Sequence, residues 1–196
     1  MLSWTHVLAN TLKVYISADS RNSFFIDSVL TAINNVNLRL RFEAFTPVYP
    51  PRHIDGDRGK VALNVLKIKE ANLVFFDVTP SLSSDGEVIS YNPGVMIEMG
   101  LFLAEENLEI SLGGPWRGRS PRPKAHFFCE RSYPKGRLTP IVNEYSVNEY
   151  SNDPSNQASF VTILEGILNG HLQEKVDFEP ATSKDKGAFD LSGAGS

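Results

Sequence analysis

One stretch of the sequence organises the chain: Asn92-Pro93-Gly94-Val95-Met96-Ile97-Glu98-Met99-Gly100-Leu101-Phe102-Leu103-Ala104. Asn is a favoured N-cap residue and Pro suits the first helical position, so Asn92 and Pro93 predict the start of a helix. Between Gly94 and Ala104 the only residue that is neither apolar nor glycine is Glu98. A helix that is apolar on every side is typical of a protein interior. We therefore expect this helix to carry a carboxylate into the core.

Glu98 is the first candidate for chemistry. A buried carboxylate must be solvated in a pocket, paired or protonated, because an isolated charge is costly to remove from water. Such environments shift pKa values, and shifted pKa values are common at active sites. The alternative is that Glu98 is present as a good helix-forming residue and reaches solvent.

The composition is that of a globular protein. The chain has 196 residues, enough for one domain with a sizeable core, of which 41% are hydrophobic and 21% charged. A formal net charge of −4 gives no strong signal for nucleic-acid binding. No apolar run approaches the ~18 residues of a membrane span, and no signal peptide is recognisable, so we expect a soluble, cytoplasmic protein. The single cysteine, Cys129, excludes an intramolecular disulfide and a Cys-cluster zinc site.

Predicted strands and helices alternate along the chain. Apolar, β-branched and aromatic runs predict strands at residues 12–18, 38–45, 72–79 and 125–129, and a last short strand within 138–147. Apolar residues at helical spacing predict helices at 24–36, with Ser23 as the cap, at 58–71, from 92 past 104, and at 155–176. Residues 46–59 and 80–91 are predicted loops, and residues 108–112 fit either a helix end or a short strand.

This alternation is typical of a doubly wound α/β domain, in which helices cover both faces of a parallel sheet in three layers, α/β/α. The near-continuous apolar run at 72–79 supports a parallel sheet, because strands buried on both faces do not alternate. We predict a single domain over residues 1–176 and a loosely ordered tail over 177–196. Ligands of such sheets bind beyond the carboxyl ends of the strands, where residues 17–23, 77–79 and the helix start at Asn92 would converge.

Three segments carry a family resemblance. They are Val14-Tyr15-Ile16-Ser17-Ala18, Ile68-Lys69-Glu70-Ala71-Asn72-Leu73-Val74-Phe75-Phe76-Asp77-Val78-Thr79 and Asn92-Pro93-Gly94-Val95-Met96-Ile97-Glu98-Met99-Gly100-Leu101. The sequence resembles the nucleoside 2-deoxyribosyltransferase-like enzymes, the related nucleotide N-glycosidases and, more distantly, TIR domains. The resemblance covers roughly residues 12–131, and its most specific part is the third segment. It implies a flavodoxin-like fold and chemistry at the N-glycosidic bond of a nucleoside or nucleotide.

The resemblance also implies roles for individual residues. Glu98 falls on the glutamate that attacks the anomeric carbon of the sugar, and Tyr15 falls on the tyrosine that orients this nucleophile. Asn64 stands where an aspartate commonly assists the leaving base. This is a departure from the family, because an amide can form hydrogen bonds but cannot shuttle a proton. Asp77, or else Asp19 or Asp55, could supply the missing carboxyl group.

The expected ligand is a small nucleoside or nucleotide, without a metal or a cofactor. The residues expected to bind it lie in the first strand-to-helix loop and at the start of the Glu98 helix. They are Ser17, Ala18, Asp19, Asn92, Gly94 and Met96. We further expect a homo-oligomer and no interaction with a membrane.

Basic residues are concentrated at 117–124, where the sequence has Arg117, Arg119, Arg122 and Lys124. This loop is either an ordinary solvated surface or a grip for the phosphate of a nucleotide. It has no counterpart in the resemblance.

The histidines give weaker signals. His53 with Asp55 and Asp57 could form a metal or acid/base cluster, although no third well-spaced set of ligands accompanies them. His126 lies in an apolar run and is expected to be a core histidine.

Three functions therefore remain open from the sequence. The leading one is an enzyme that cleaves or transfers at an N-glycosidic bond with Glu98 as the nucleophile. The second is a TIR-type NAD glycohydrolase that uses the same carboxylate. The third is a nucleotide-sensing module that keeps the pocket without turnover, and the amide at Asn64 favours it.

Overall fold

The computed structural model describes residues 11–48, 57–82, 88–111, 123–131 and 145–178. In chain order its elements are β1 (Leu12–Ser17), α1 (Ser23–Leu40), β2 (Phe45–Val48), α2 (Asp57–Glu70), β3 (Leu73–Asp77), β4 (Ser81–Leu82), β5 (Val88–Ser90), α3 (Pro93–Ser111), β6 (Lys124–Glu130), β7 (Val147–Tyr150), a 3-10 helix (Pro154–Asn156) and α4 (Gln157–Phe178).

Five of the described strands form one parallel sheet in the order β2-β1-β3-β6-β7. This is the flavodoxin-like order, in which the winding of the chain reverses between β1 and β3. The short strands β4 and β5 pair with each other in antiparallel orientation, outside this sheet. The fold class predicted from the sequence, a doubly wound α/β sheet, is confirmed.

The buried strands divide their side chains between two helical layers. Val14 and Ile16 of β1 belong to the core under α1 and α4, whereas Tyr15 belongs to the core under α2 and α3. In β3, Phe75 joins the first core and Phe76 the second. Successive residues of a strand point to opposite sides, so each face of the sheet builds its own apolar core.

The second strand was predicted wrongly at residues 38–45. Helix α1 continues to Leu40, and β2 begins only at Phe45. Arg41 ends the helix in the left-handed conformation, with φ 62°, and its N–H donates to the carbonyl of Leu38. The side chain of Asn37 then pairs with both backbone groups of Phe45. A short alternating run is compatible with the last turns of a helix, and these contacts decide in favour of the helix.

Several other boundaries differ from the prediction. The predicted loop at 80–91 contains the β4–β5 pair, and the open segment at 108–112 is helical to Ser111. The last strand is β7 (Val147–Tyr150), which starts where its predicted segment ends. The closing helix α4 (Gln157–Phe178) starts and ends two residues later than expected. The predicted tail from residue 179 lies outside the described residues.

Asn22, and not the predicted Ser23, caps helix α1. The side-chain Oδ1 of Asn22 accepts a hydrogen bond from the N–H of Phe25 at 3.2 Å. Its Nδ2 donates to Oδ2 of Asp77 and to Oη of Tyr150, at 2.7 Å in each case. One amide therefore joins the start of α1 to the carboxyl ends of β3 and β7.

Replacing Asn22 by Ala should destabilise the protein through both ends of this amide. Loss of the cap should lower the free energy of unfolding by about 1 kcal/mol. Loss of the donor to the buried Asp77 carboxylate should lower it by about 1–3 kcal/mol more. Ser23→Ala is the matched control, because Ser23 is exposed and should change the free energy of unfolding by less than about 0.5 kcal/mol. Urea unfolding of both variants measures the difference, and equal effects would contradict the dual role of Asn22.

Candidate active site

Strand β1 supplies two hydroxyl groups to the layer that contains α2 and α3. Tyr15 is fully buried in that layer, and Ser17, two residues later, points to the same side. Both lie towards the carboxyl end of β1, beside the point at which the winding of the sheet reverses. The sequence prediction that this strand end contributes to the site is consistent with their placement.

The start of α3 fixes the orientation of the helix that carries Glu98. Oδ1 of Asn92 accepts hydrogen bonds from the N–H groups of Gly94 at 2.9 Å and Val95 at 3.2 Å, so Asn92 is the predicted N-cap. A Cβ at Gly94 would lie 3.1 Å from that same Oδ1, so a larger residue there would push against the capping side chain. Asn92 and Gly94 thus act in the helix start itself.

The carboxylate of Glu98 is buried, with 6% of the residue exposed. The expectation that α3 is buried on every side is wrong, because Ile97 is 47% exposed and Gly100 faces open space. The helix buries one face, through Val95, Met99 and neighbouring apolar residues, against the sheet. Glu98 lies on this inward face, so its burial follows from the packing of the helix.

Asn64 of α2 contacts Glu98 directly. Its Nδ2 donates a hydrogen bond to Oε1 of the carboxylate at 2.6 Å. The hydroxyls of Ser17 and Tyr15 also face the same carboxylate and lower its pKa, although neither makes a hydrogen bond of good geometry among the described residues. Asn64, Tyr15 and Glu98, which the resemblance brought together, therefore meet in space.

Burial raises the pKa of the Glu98 carboxyl, and the donors Ser17, Tyr15 and Asn64 oppose that shift without cancelling it. Burial, together with the negative charge of Glu98, raises the pKa of the Tyr15 phenol far above its usual range. Tyr15 therefore stays protonated and can donate to the carboxylate at any physiological pH. The site is a carboxylate in a dry environment that faces uncharged donors.

Three polar atoms around Glu98 are buried without a hydrogen-bond partner among the described residues. They are Oη of Tyr15, Oγ of Ser17 and Oδ1 of Asn64. Buried polar atoms are rarely left unpaired in folded proteins. These three oxygens therefore give the surroundings of Glu98 hydrogen-bonding capacity that the described residues do not use with good geometry.

Asp77, a predicted catalytic residue, belongs to a different polar cluster. Its Oδ1 accepts hydrogen bonds from Oγ1 of Thr79 at 2.6 Å and from Oη of Tyr150 at 3.1 Å, and its Oδ2 accepts from Asn22. Asp77 has the same strand parity as Phe75, so it faces the layer of α1 and α4, whereas Glu98 lies on the other side of the sheet. The structure does not bring Asp77 to Glu98.

The Asp77 cluster joins the carboxyl ends of three strands. Oγ1 of Thr79 also accepts the N–H of Glu130 at 2.9 Å, at the end of β6. Burial raises the pKa of Asp77, and the donors Thr79, Asn22 and Tyr150 oppose this shift.

Sequence reasoning missed Asn22 and Tyr150. The signal for Asn22 was its position one residue before the helix, but nothing in the sequence links Tyr150 to Asp77.

Asp19 is paired with a neighbouring arginine. Its carboxylate accepts from Nε of Arg21 at 3.0 Å and from Nη2 at 2.6 Å. Hydrogen bonds from Arg21, with a smaller contribution from Asn92, hold the pKa of Asp19 well below its usual range. Asp19 is therefore ionised at neutral pH and connects the first loop to the start of α3. The other predicted binding residues, Ala18 and Met96, are half-buried beside these elements.

His126, predicted to be a core histidine, is only half-buried and packs against the edge of the core on the side of the sheet away from Glu98. Its ring contacts Phe75 edge-on at 5.7 Å on the α4 side of the sheet. Burial and the nearby charge of Lys124 lower the pKa of His126 to about 4. Lys124 itself pairs with Glu174 of α4 at 2.6 Å.

His53, Asp55 and the arginines of the basic loop lie outside the described residues.

A metal centre is not found in the part of the chain that the structure describes. There, no group of three or more His, Cys, Asp or Glu side chains is arranged to hold a metal ion.

Cys129 is buried, and burial, with the nearby charge of Asp77, raises the pKa of its thiol to about 12. None of the described helices is long and apolar enough to span a membrane.

Comparison with solved structures finds a weak likeness. No protein-family model and no curated protein matches the chain. Among solved structures, the chain is similar to the 2-desoxiribosyltransferase from Leishmania mexicana, with a TM-score of 0.35 and 17% sequence identity. The alignment covers 68% of this chain and 71% of that one. A likeness of this size carries no argument about activity.

The burial of Glu98 predicts a pH-dependent cost in stability. Because the pKa of Glu98 is raised in the folded state, the folded protein binds more protons than the unfolded chain above the ordinary pKa of 4.5. The free energy of unfolding therefore falls as the pH rises above 4.5. Glu98→Gln removes the titration and keeps an oxygen that can accept from Asn64.

We expect the melting temperature of Glu98→Gln, relative to that of the wild type, to increase as the pH is raised above 4.5. Thermal unfolding monitored by circular dichroism measures it. Glu43→Gln, which removes a carboxylate at an exposed position, is the matched control. A difference for Glu98→Gln that shrinks with rising pH would contradict the burial of an ionising carboxyl.

Proposed function

We propose that the protein cleaves, or transfers a sugar at, the N-glycosidic bond of a nucleoside or nucleotide, with Glu98 as the nucleophile. The observation that carries the proposal is the enclosed Glu98 carboxylate, which accepts a 2.6 Å hydrogen bond from Asn64 and faces the Tyr15 and Ser17 hydroxyls. Such a carboxylate is held in one orientation and is poorly hydrated, two properties that suit a nucleophile at a sugar carbon.

The proposed reaction has two steps. An oxygen of Glu98 attacks the anomeric carbon, the bond from that carbon to the base breaks, and its electron pair leaves with the base. The resulting glycosyl ester is then opened by water, which gives hydrolysis, or by a second base, which gives transfer. Asn64 and Tyr15 would hold the carboxylate in line during the attack. Ser17 and Oδ1 of Asn64 are free to contact the sugar or the base.

A nucleotide-binding module without turnover is the second candidate. It is favoured by the chemistry of Asn64, which contacts the carboxylate with an amide and cannot give a proton to a leaving base. In such a module the unpaired oxygens of Tyr15, Ser17 and Asn64 would hold the ligand. Release of a free base from a panel of deoxynucleosides, ribonucleosides, nucleoside monophosphates and NAD, detected by chromatography, distinguishes the enzyme from this module.

Glu98→Gln should abolish base release and leave the fold intact, because an amide keeps the shape of the side chain but is a poor nucleophile. Glu43→Gln serves as the matched control and should keep the wild-type rate. Tyr15→Phe should raise the activation free energy of base release by roughly 1–3 kcal/mol, the contribution of a hydrogen bond to a charged group. Near-normal turnover in folded Glu98→Gln would remove Glu98 from the reaction. If the wild type releases no base but a nucleotide raises its melting temperature, the binding module is correct.

A further inference from the structure

Strand β6 and helix α4 contact each other at two points that differ in chemistry. Near the carboxyl end of β6, the rings of Phe128 and Phe160 meet edge-on, with their centroids 5.8 Å apart. At the amino end of β6, Nζ of Lys124 lies 2.6 Å from Oε1 of Glu174. These two pairs show that the helix runs antiparallel to the strand. The inward-facing residues between the two pairs therefore lie in one shared layer.

Each element places a histidine between these two points. His126 has the same strand parity as Phe128 and Lys124, so it points to the α4 side of the sheet. His171 lies on the inward face of α4, three residues after the buried Leu168, and is 8% exposed. The two rings are close enough for the charge of His171 to act on the pKa of His126. The middle of the contact between β6 and α4 thus contains two titratable rings.

His171 occupies a position in the helix that suits an apolar side chain. Both of its ring nitrogens are buried and lack a hydrogen-bond partner among the described residues. Burial lowers the pKa of His171, and the nearby charges of Lys175 and Lys124 add to this shift, whereas Glu174 opposes it. Burial and Lys124 lower the pKa of His126 to about 4. Both rings are therefore neutral at pH 7.

Protonation of the two rings would change the balance of charge between β6 and α4. The described charged side chains on the enclosing elements are Lys124 of β6, Glu174 and Lys175 of α4, and the ion pair between Arg39 of α1 and Glu165 of α4. The neighbouring strand β3 contributes the uncharged ring of Phe75. Two imidazolium ions would join Lys124 and Lys175 against the carboxylate of Glu174, which is already paired with Lys124.

We propose that His126 and His171 form a pH-sensitive switch, which keeps the last two turns of α4 on β6 while both rings are neutral and releases them when the rings are protonated. This inference goes beyond the proposed function and does not depend on it. A buried ring that gains a charge must be solvated or paired, and opening the end of the helix exposes it to water. Protonation of histidine clusters is a general way to change a packed interface.

The direction of the pH dependence follows from the proton balance. The opened form, with histidines near the ordinary pKa of 6.5, binds more protons below this value than the closed form, in which both pKa values are lowered. The closed form therefore loses stability as the pH falls below 6.5.

Hydrogen–deuterium exchange of the full chain, followed by mass spectrometry, tests the opening directly. Each measured rate is divided by the intrinsic chemical exchange rate at the same pH. We expect the protection of residues 171–178 to fall at least about 10-fold between about pH 7 and about pH 5, because each proton taken up on opening changes the equilibrium by up to about 10-fold per pH unit. Protection of residues 160–168 should change much less. An equal loss along the whole of α4, or no loss, would overturn the switch.

Replacing the histidines should remove this pH dependence. His171→Leu keeps a side chain suited to its buried position and should reduce the loss of protection at acid pH. The double variant with His126→Phe should abolish the loss, because neither ring then titrates. Asn169→Leu, at an exposed position of α4, is the matched control and should keep the wild-type response. A wild-type response in the double variant would contradict the proposal.

The ion pair beside the histidines separates a switch from a merely structural contact. Lys124→Gln and Glu174→Gln break the same ion pair, but Lys124 lowers the pKa of both histidines and Glu174 raises both. The loss of protection between about pH 7 and about pH 5 should therefore be smaller than in the wild type for Lys124→Gln and larger for Glu174→Gln. Equal changes in the two variants would overturn the switch.

An NMR titration of the wild-type imidazole rings decides the question even if the variants do not fold. The switch requires that both rings titrate below the ordinary pKa of 6.5 and together with the loss of protection in α4. Titration of both rings at 6.5 with an unchanged helix would overturn it.

Discussion

The alternation of side chains along the central strands is the constraint on which the site depends. β1 and β3 are buried on both faces, so each consecutive residue belongs to a different core. Tyr15 and Ser17 therefore face α2 and α3, while Asp77 faces α1 and α4. The polar clusters around Glu98 and around Asp77 both lie near the carboxyl ends of the strands, but on opposite faces of the sheet. Among the described residues, oxygens of Tyr15, Ser17 and Asn64 around Glu98 have no partner of good geometry, whereas both oxygens of Asp77 accept hydrogen bonds.

This division assigns different physical tasks to two buried carboxyl groups. The donors of Asp77 come from the start of α1 and from the ends of β3 and β7, so its charge connects elements distant in sequence. Glu98 accepts a 2.6 Å hydrogen bond from one amide on α2, and burial keeps its pKa raised. The hydrogen bonds of Asp77 hold the start of α1 and the ends of β3 and β7 in a fixed arrangement. The Glu98 site keeps a carboxylate in an apolar environment, where its burial costs free energy that the surrounding core must offset.

The sequence predicted most of the fold because its strongest signals are local. Long apolar runs at 72–79 and 125–129, and the capped start at Asn92, required no knowledge of tertiary contacts. The second strand failed because the Asn37 contacts with Phe45, and the left-handed Arg41, outweigh an alternating pattern. At the site, Glu98 was visible as the polar residue in an apolar helix. Its contact with Asn64 came from the resemblance, and the hydrogen bonds of Asp77 to Asn22 and Tyr150 could not be read at all, because they join residues 55 and 73 positions apart.

The two-ended hydrogen bonding of Asn22 restricts how this chain can vary in evolution. Ser, Thr and Asp are general alternatives to Asn at a helix N-cap. Here Asp would place a second carboxylate against Asp77, and Ser or Thr would keep the cap but lack the amide donor that reaches β3 and β7. Position 22 is thus coupled to position 77, and related chains that replace one of these residues should also replace the other.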